Sequence, residues 1–206
     1  MALLTGAAVA PAAQQQAPAQ LQAGTTSSFI IFMRGNLIGV EQMTVSRTTE
    51  GWSTLSTGRL TQPFDVVARK VETRYTADWK PVAFNLDSTV RGQFQRVITV
   101  IEGTTAATEI TAGTDTTRKS DTIDPSAILL PNVMYSPYEA LTAVLRTAPD
   151  GSTLSAYQIP LGSVPIRVVE STTEQIQTTS RLISAKRTHV TVGTTNSLRF
   201  FRLRKQ

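Results

Sequence analysis

Residues 121–148 read DTIDPSAILLPNVMYSPYEALTAVLRTA, and they form the one stretch of the 206-residue chain with convincing helical spacing. Ser136-Pro137-Tyr138-Glu139 is an S-x-x-E capping box with proline at the first helical position. In that motif the Ser136 hydroxyl accepts a bond from the Glu139 amide, and the Glu139 side chain reaches back to the Ser136 amide. Tyr138, Leu141, Thr142 and Leu145 follow on one mostly apolar face, so a main helix is expected over 136–147. Pro149 stops it. Upstream, Asp124-Pro125 is expected to cap a single helical turn that Pro131 ends.

Outside this stretch the chain reads as strand and turn. Phe29–Met33 and the run from Leu37 flank Gly35-Asn36, a hairpin signal, and Thr49-Glu50-Gly51 closes the next. Trp52–Leu60 and Phe64–Thr76 are strands separated by Gln62-Pro63, and Val67, Val71 and Tyr75 are expected on one side of the second. Val82, Phe84, Leu86, Ser88 and Val90 alternate with polar or small residues, the clearest period-two run in the chain. Gly92-Gln93, Gly103-Thr104 and Gly113-Thr114 then punctuate three further strands, which argues for an antiparallel meander. After the helix, strands are expected at 153–159, 164–169, 174–179, 182–192 and 198–203. A lone helix in such a chain must bury its apolar face against a sheet. The expected class is therefore mainly β (α+β). It is a strongly curved antiparallel sheet or half-barrel of about a dozen short strands, with the 136–147 helix in its concave face.

Residues 1–24 differ from the rest. Ala2–Ala10 is small and apolar, Ala10-Pro11-Ala12 fits a cleavage pattern, and an Ala/Gln/Pro linker follows. We read a signal-peptide remnant, with 25–206 as one β-rich domain and a periplasmic or secreted location. No Lys or Arg precedes the apolar run, which implies an upstream start. The net charge of +5 is concentrated at the end, where Arg199, Arg202, Arg204 and Lys205 lie within the last eight residues. We read that basic cluster as a solvated tail and expect no nucleic-acid partner.

The chain lacks cysteine, which excludes disulfides, thiolate catalysis and cysteine-bound zinc. Its single histidine, His189, alternates against Val190 and Val192, and no G-x-S-x-G elbow accompanies it. Asp115, Asp121 and Asp124 are the densest carboxylates, but they lack the spacing of a calcium loop and suit turns and caps. Glu41, Glu72, Asp87, Glu109 and Glu170 are scattered over separate strands. Trp52 and Trp79 suit packing anchors. No catalytic residue, metal or cofactor is expected. A curled sheet crossed by one helix can leave an apolar cleft lined by Tyr138, Leu141, Leu145, Phe84 and Leu86. The same side chains can instead fill the curve as an ordinary core, the reading these residues favour.

Several segments resemble bacterial envelope domains of unknown function that are related to the periplasmic lipoprotein-carrier half-barrels. They are Arg34-Gly35-Asn36-Leu37-Ile38-Gly39, Tyr75 with Asp78-Trp79-Lys80-Pro81, and Leu129-Leu130-Pro131-Asn132. Phe32–Arg91, with Arg59-Leu60 and Phe64-Asp65-Val66-Val67, and Thr116–Leu145 also resemble the amino-terminal module of some secreted bacterial α/β-hydrolases. The resemblance implies an exported, non-enzymatic domain that binds an apolar ligand or envelope lipid. The alternative it implies is an accessory module whose hydrolase domain lies outside this chain. Such domains end in a Trp-x-Asp…Gly-x-Leu hairpin, whereas Ser197–Gln206 reads SLRFFRLRKQ. That departure implies an end that is truncated or out of frame.

Overall fold

The computed structural model describes residues 24–131, 134–193 and 196–201, the last six as backbone alone. The apolar leader, Asn132 of the Leu-Leu-Pro-Asn segment and the basic tail beyond Phe201 lie outside the described residues.

The amino-terminal half is an eight-stranded antiparallel meander. Its strands are β1 (Thr25–Met33), β2 (Asn36–Arg47), β3 (Trp52–Leu60), β4 (Val66–Tyr75), β5 (Pro81–Val90), β6 (Gln93–Glu102), β7 (Thr105–Ala112) and β8 (Asp115–Thr122). Two of its turns are one residue earlier than the glycine signals alone suggest. Arg34-Gly35 and Arg91-Gly92 both take positive φ, 52° with 82° and 49° with 78°. This is the signature of a type I′ turn, whose twist matches that of the flanking strands.

The carboxyl-terminal half forms a second, curled sheet, a half-barrel. It contains β10 (Thr153–Gln158), β11 (Gly162–Gln177), β12 (Leu182–Val192) and β13 (Asn196–Phe201), with the two-residue β9 (Ile128–Leu129) added parallel to β10. The two strands expected at 164–169 and 174–179 are one sixteen-residue strand, β11, with a register shift between Val168 and Glu170. The stretch after Asp124-Pro125 is a turn followed by β9, not a helical turn. Ile128 and Leu129 pair with Ala156 and Tyr157. Ile128 and Ala156 face one apolar cluster, and Leu129 and Tyr157 face the other. Buried on both sides, β9 and the Ala156–Tyr157 section of β10 lie between the two clusters, which explains an unbroken Ile-Leu-Leu run in place of alternation.

The helix α1 (Tyr138–Leu145) is shorter than expected. Its Leu141 and Leu145 pack with Ala156, Ile166, Val168 and Val190 of the half-barrel and with Tyr75 of the first sheet. Trp52 and Trp79 flank that cluster, stacked on each other at 4.9 Å and 12°. They are packing anchors.

Candidate functional site

The inner face of the meander carries one carboxylate where alternation leads one to expect an aliphatic. Glu41 on β2 is 1% exposed and has no salt-bridge partner among the described residues. Three donors hold it. The Tyr135 amide donates to Oε2 at 2.7 Å, the Ser136 amide to Oε1 at 3.0 Å, and the Ser56 hydroxyl to Oε1 at 2.7 Å. Ser56 Oγ lies 2.8 Å from Ser136 Oγ. A hydroxyl has one proton and Ser56 gives its own to Glu41, so Ser136 donates to Ser56. The chain of bonds runs from Ser136 through Ser56 to Glu41.

This arrangement displaces the capping box. Pro137 is the N-cap residue, and no side-chain hydrogen bond caps the helix. The Ser136 amide goes to Glu41 and the Ser136 hydroxyl to Ser56. A carboxylate from a neighbouring strand does the work that Glu139 was expected to do locally. Its charge also sits at the positive end of the helix dipole. The opposite end has the complementary partner, for the Lys186 ammonium on β12 donates to the carbonyls of Leu145 at 2.9 Å and Arg146 at 3.1 Å. An eight-residue helix is marginal alone. Here each end is fixed by a charge from a different sheet.

The approach to α1 is clamped along its length. Met134 lies against Gly58, where an added Cβ would come within 2.9 Å of the methionine methyl and 3.0 Å of the Val40 carbonyl. The Tyr75 hydroxyl donates to the Pro137 carbonyl at 3.2 Å. Burial raises the Tyr75 hydroxyl well above the usual tyrosine range, so it remains a donor. With Ser136 at 0% exposure and Glu41 at 1%, the pair is sealed from any substrate.

Of the five expected cleft residues, Tyr138, Leu141 and Leu145 meet in the helix cluster. Phe84 and Leu86 belong to the other cluster, with Val97, Leu129 and Tyr157. The structure does not bring the two groups together, and four of the five are buried. His189 lies on β12, and its Nε2 has no hydrogen-bond partner among the described residues. Asp124 makes a local turn, accepting from the Ser126 amide and hydroxyl at 2.7 and 2.6 Å. Among the described residues, no cluster of His, Asp or Glu could hold a metal ion.

Most of the large exposed apolar side chains among the described residues belong to the meander, and a row of them lies on its outer side. Strand register aligns Ile30, Val40, Arg59, Val67, Thr89 and Phe94 in one row across β1 to β6. Ile30 is 65% exposed, Val40 54%, Val67 40% and Phe94 39%. Val67 points outward, not with Val71 and Tyr75, because a register shift between Ala68 and Lys70 changes which side the strand presents. A surface hollow of about 630 Å³ runs over β1 to β4 beside Ile30, Val40, Arg59 and Val67. Arg59 has no side-chain partner among the described residues, while Arg69 lies over Phe94 at 5.6 Å and pairs with Asp87. Burial averages hide this row from sequence reading, since its members come from six strands.

Comparison of the chain with protein-family models, curated proteins and solved structures finds no match.

Proposed function

We propose that this chain is an exported, non-enzymatic β-rich domain that binds an apolar ligand, an envelope lipid being the chemical class that fits. The observation that carries the reading is the outer row Ile30–Val40–Arg59–Val67, an apolar strip around a cation that has no side-chain partner among the described residues. Monomeric proteins rarely leave large contiguous apolar surface in water without a use for it. A single-chain anionic lipid suits the strip, with its tail along Ile30 and Val40 and its headgroup at Arg59. The helix-lined interior is a weaker candidate, because Leu141 and Phe84 are already 0% and 1% exposed.

The test is lipid binding by the full chain, measured by native mass spectrometry and by co-sedimentation with phosphatidylglycerol and phosphatidylcholine vesicles. Val40→Asn with Val67→Asn should abolish binding, and Arg59→Gln should remove the preference for the anionic lipid. Both valines are exposed, so the fold tolerates the change. Binding unaffected by these variants, or no binding by the parent chain, would overturn the reading and favour the accessory-module alternative.

A further inference from the structure

The meander has two edges, and β1 is the one without charge or proline. Among the described residues, no strand pairs with its outer side, since β1 ends the sheet order. Its sequence, TTSSFIIFM, carries no charge and no proline over nine residues, and seven of the nine are exposed, Ile30 and Phe32 at 65% and 62% among them. Native edges are ordinarily blunted by lysine, proline, bulges or a covering element, and of these β1 has, among the described residues, only the register shift against β2 between Ile31 and Phe32. The other edge of the same sheet, β8, reads DTTRKSDT and carries four charges, Asp115, Arg118, Lys119 and Asp121. Lys119 further bonds the Pro160 carbonyl at 2.9 Å.

We infer that β1 is a self-association edge, and that its partner is β1 of a second copy of this chain in antiparallel register. Three observations select that occupant. Among the described residues no strand bonds to the outer amides and carbonyls of this edge, and only another strand can satisfy such a row in full. Because β1 has no charge, laying it antiparallel on itself opposes no like charges, whereas β8 could not meet its own copy so freely. A two-fold axis through β1 is also closed, so pairing stops at a dimer, and the outer face that carries Ile30 continues onto the outer face of the second copy. The inference does not depend on the lipid reading and can fail separately from it.

The experiment is a single-cysteine series in the otherwise cysteine-free chain, with Ser27→Cys, Ser28→Cys, Phe29→Cys and Ile30→Cys oxidised individually without lipid. In an antiparallel two-fold pair a residue meets its own twin only at the axis. At ~3.3 Å per residue, a position two residues away lies roughly 14 Å from its twin, beyond disulfide reach. One position should therefore cross-link at least about tenfold more than the weakest. Sedimentation of the parent chain should show a concentration-dependent monomer and dimer, and Ile30→Lys should weaken the dimer by a similar factor with an unchanged circular-dichroism spectrum. A parent chain that stays monomeric at its highest soluble concentration would overturn the inference. So would uniform cross-linking, or oligomers that grow without limit.

Discussion

The two ends of the meander are fastened to the rest of the chain by one carboxylate each, yet they solve opposite problems. At the β2–β3 end, Glu41 is wholly buried and takes its bonds from two backbone amides and a hydroxyl. At the β8 end, Asp121 is about a fifth exposed (21%), accepts from the Tyr157 hydroxyl at 2.6 Å and pairs with Lys119 at 2.9 Å. The first end is secured on its inner face and left apolar on its outer face and edge. The second is secured through its edge, where charge faces water. Elements that are guarded by charge need no partner, whereas an uncharged edge beside an apolar row is the place where a partner is expected.

The largest effect should come from Glu41. Truncation to alanine leaves two amides and the Ser56–Ser136 pair without their acceptor, and we expect a loss of about 3 kcal/mol or more in urea unfolding. Glu41→Gln is the sharper variant. Each carboxylate oxygen accepts at least one backbone N–H, so whichever way the amide turns, its NH₂ group meets a donor. It should cost roughly half as much as alanine. A Glu41→Gln protein as stable as the parent would show that the clamp contributes nothing.

Asp121 should matter less, at about 1 kcal/mol for Asp121→Asn near neutral pH, because it is partly solvated. Burial works against its charge, but the hydrogen bonds from Tyr157 and Lys119 prevail and hold its carboxyl below the usual range. A folded-state value below the unfolded value of about 3.9 stabilises the fold above that pH, and the contribution is lost as pH falls through the folded value. The gap between parent and Asp121→Asn should therefore close in acid. At the other extreme, burial and then Asp121 push the Tyr157 hydroxyl up to about 12. Its contribution is whole below the unfolded tyrosine value of about 10 and disappears as pH rises from there towards the folded value. Absorbance titration near the phenolate band, with and without Asp121→Asn, measures this. A Tyr157 that titrates as an ordinary tyrosine would break the pairing of Asp121 with the second sheet.

The meander was legible because its information is local. Glycine turns and period-two runs place each hairpin, and Phe84, Leu86 and Ser88 face inward as their alternation requires. The half-barrel was less so. β9 is two residues long and pairs in parallel with a strand nearly thirty residues away, and no local pattern encodes that. Ser136-Pro137-Tyr138-Glu139 matches a capping motif, yet Glu41, some 95 residues earlier, outcompetes the local partner. A single carboxylate at an inward position of β2 was the one available signal, and it is visible only after the register is known. The outer row was hidden for the same reason, since the bulge between Ala68 and Lys70 reverses the side on which Val67 stands.

The smallest effect concerns what guards β8. Arg118 is 78% exposed and pairs with Glu109 at 2.8 Å, a surface ion pair. Arg118→Ile therefore should change stability by no more than about 0.5 kcal/mol. It also removes one charge from the edge and adds a β-branched apolar side chain to the outer face, copying Ile30. If protection is shared among Asp115, Lys119 and Asp121, the mass distribution in sedimentation should remain that of the parent. New association through β8 would mean that a single exposed charge separates the two edges, and that β1 became a pairing edge by lacking one arginine rather than by the character of its whole strand.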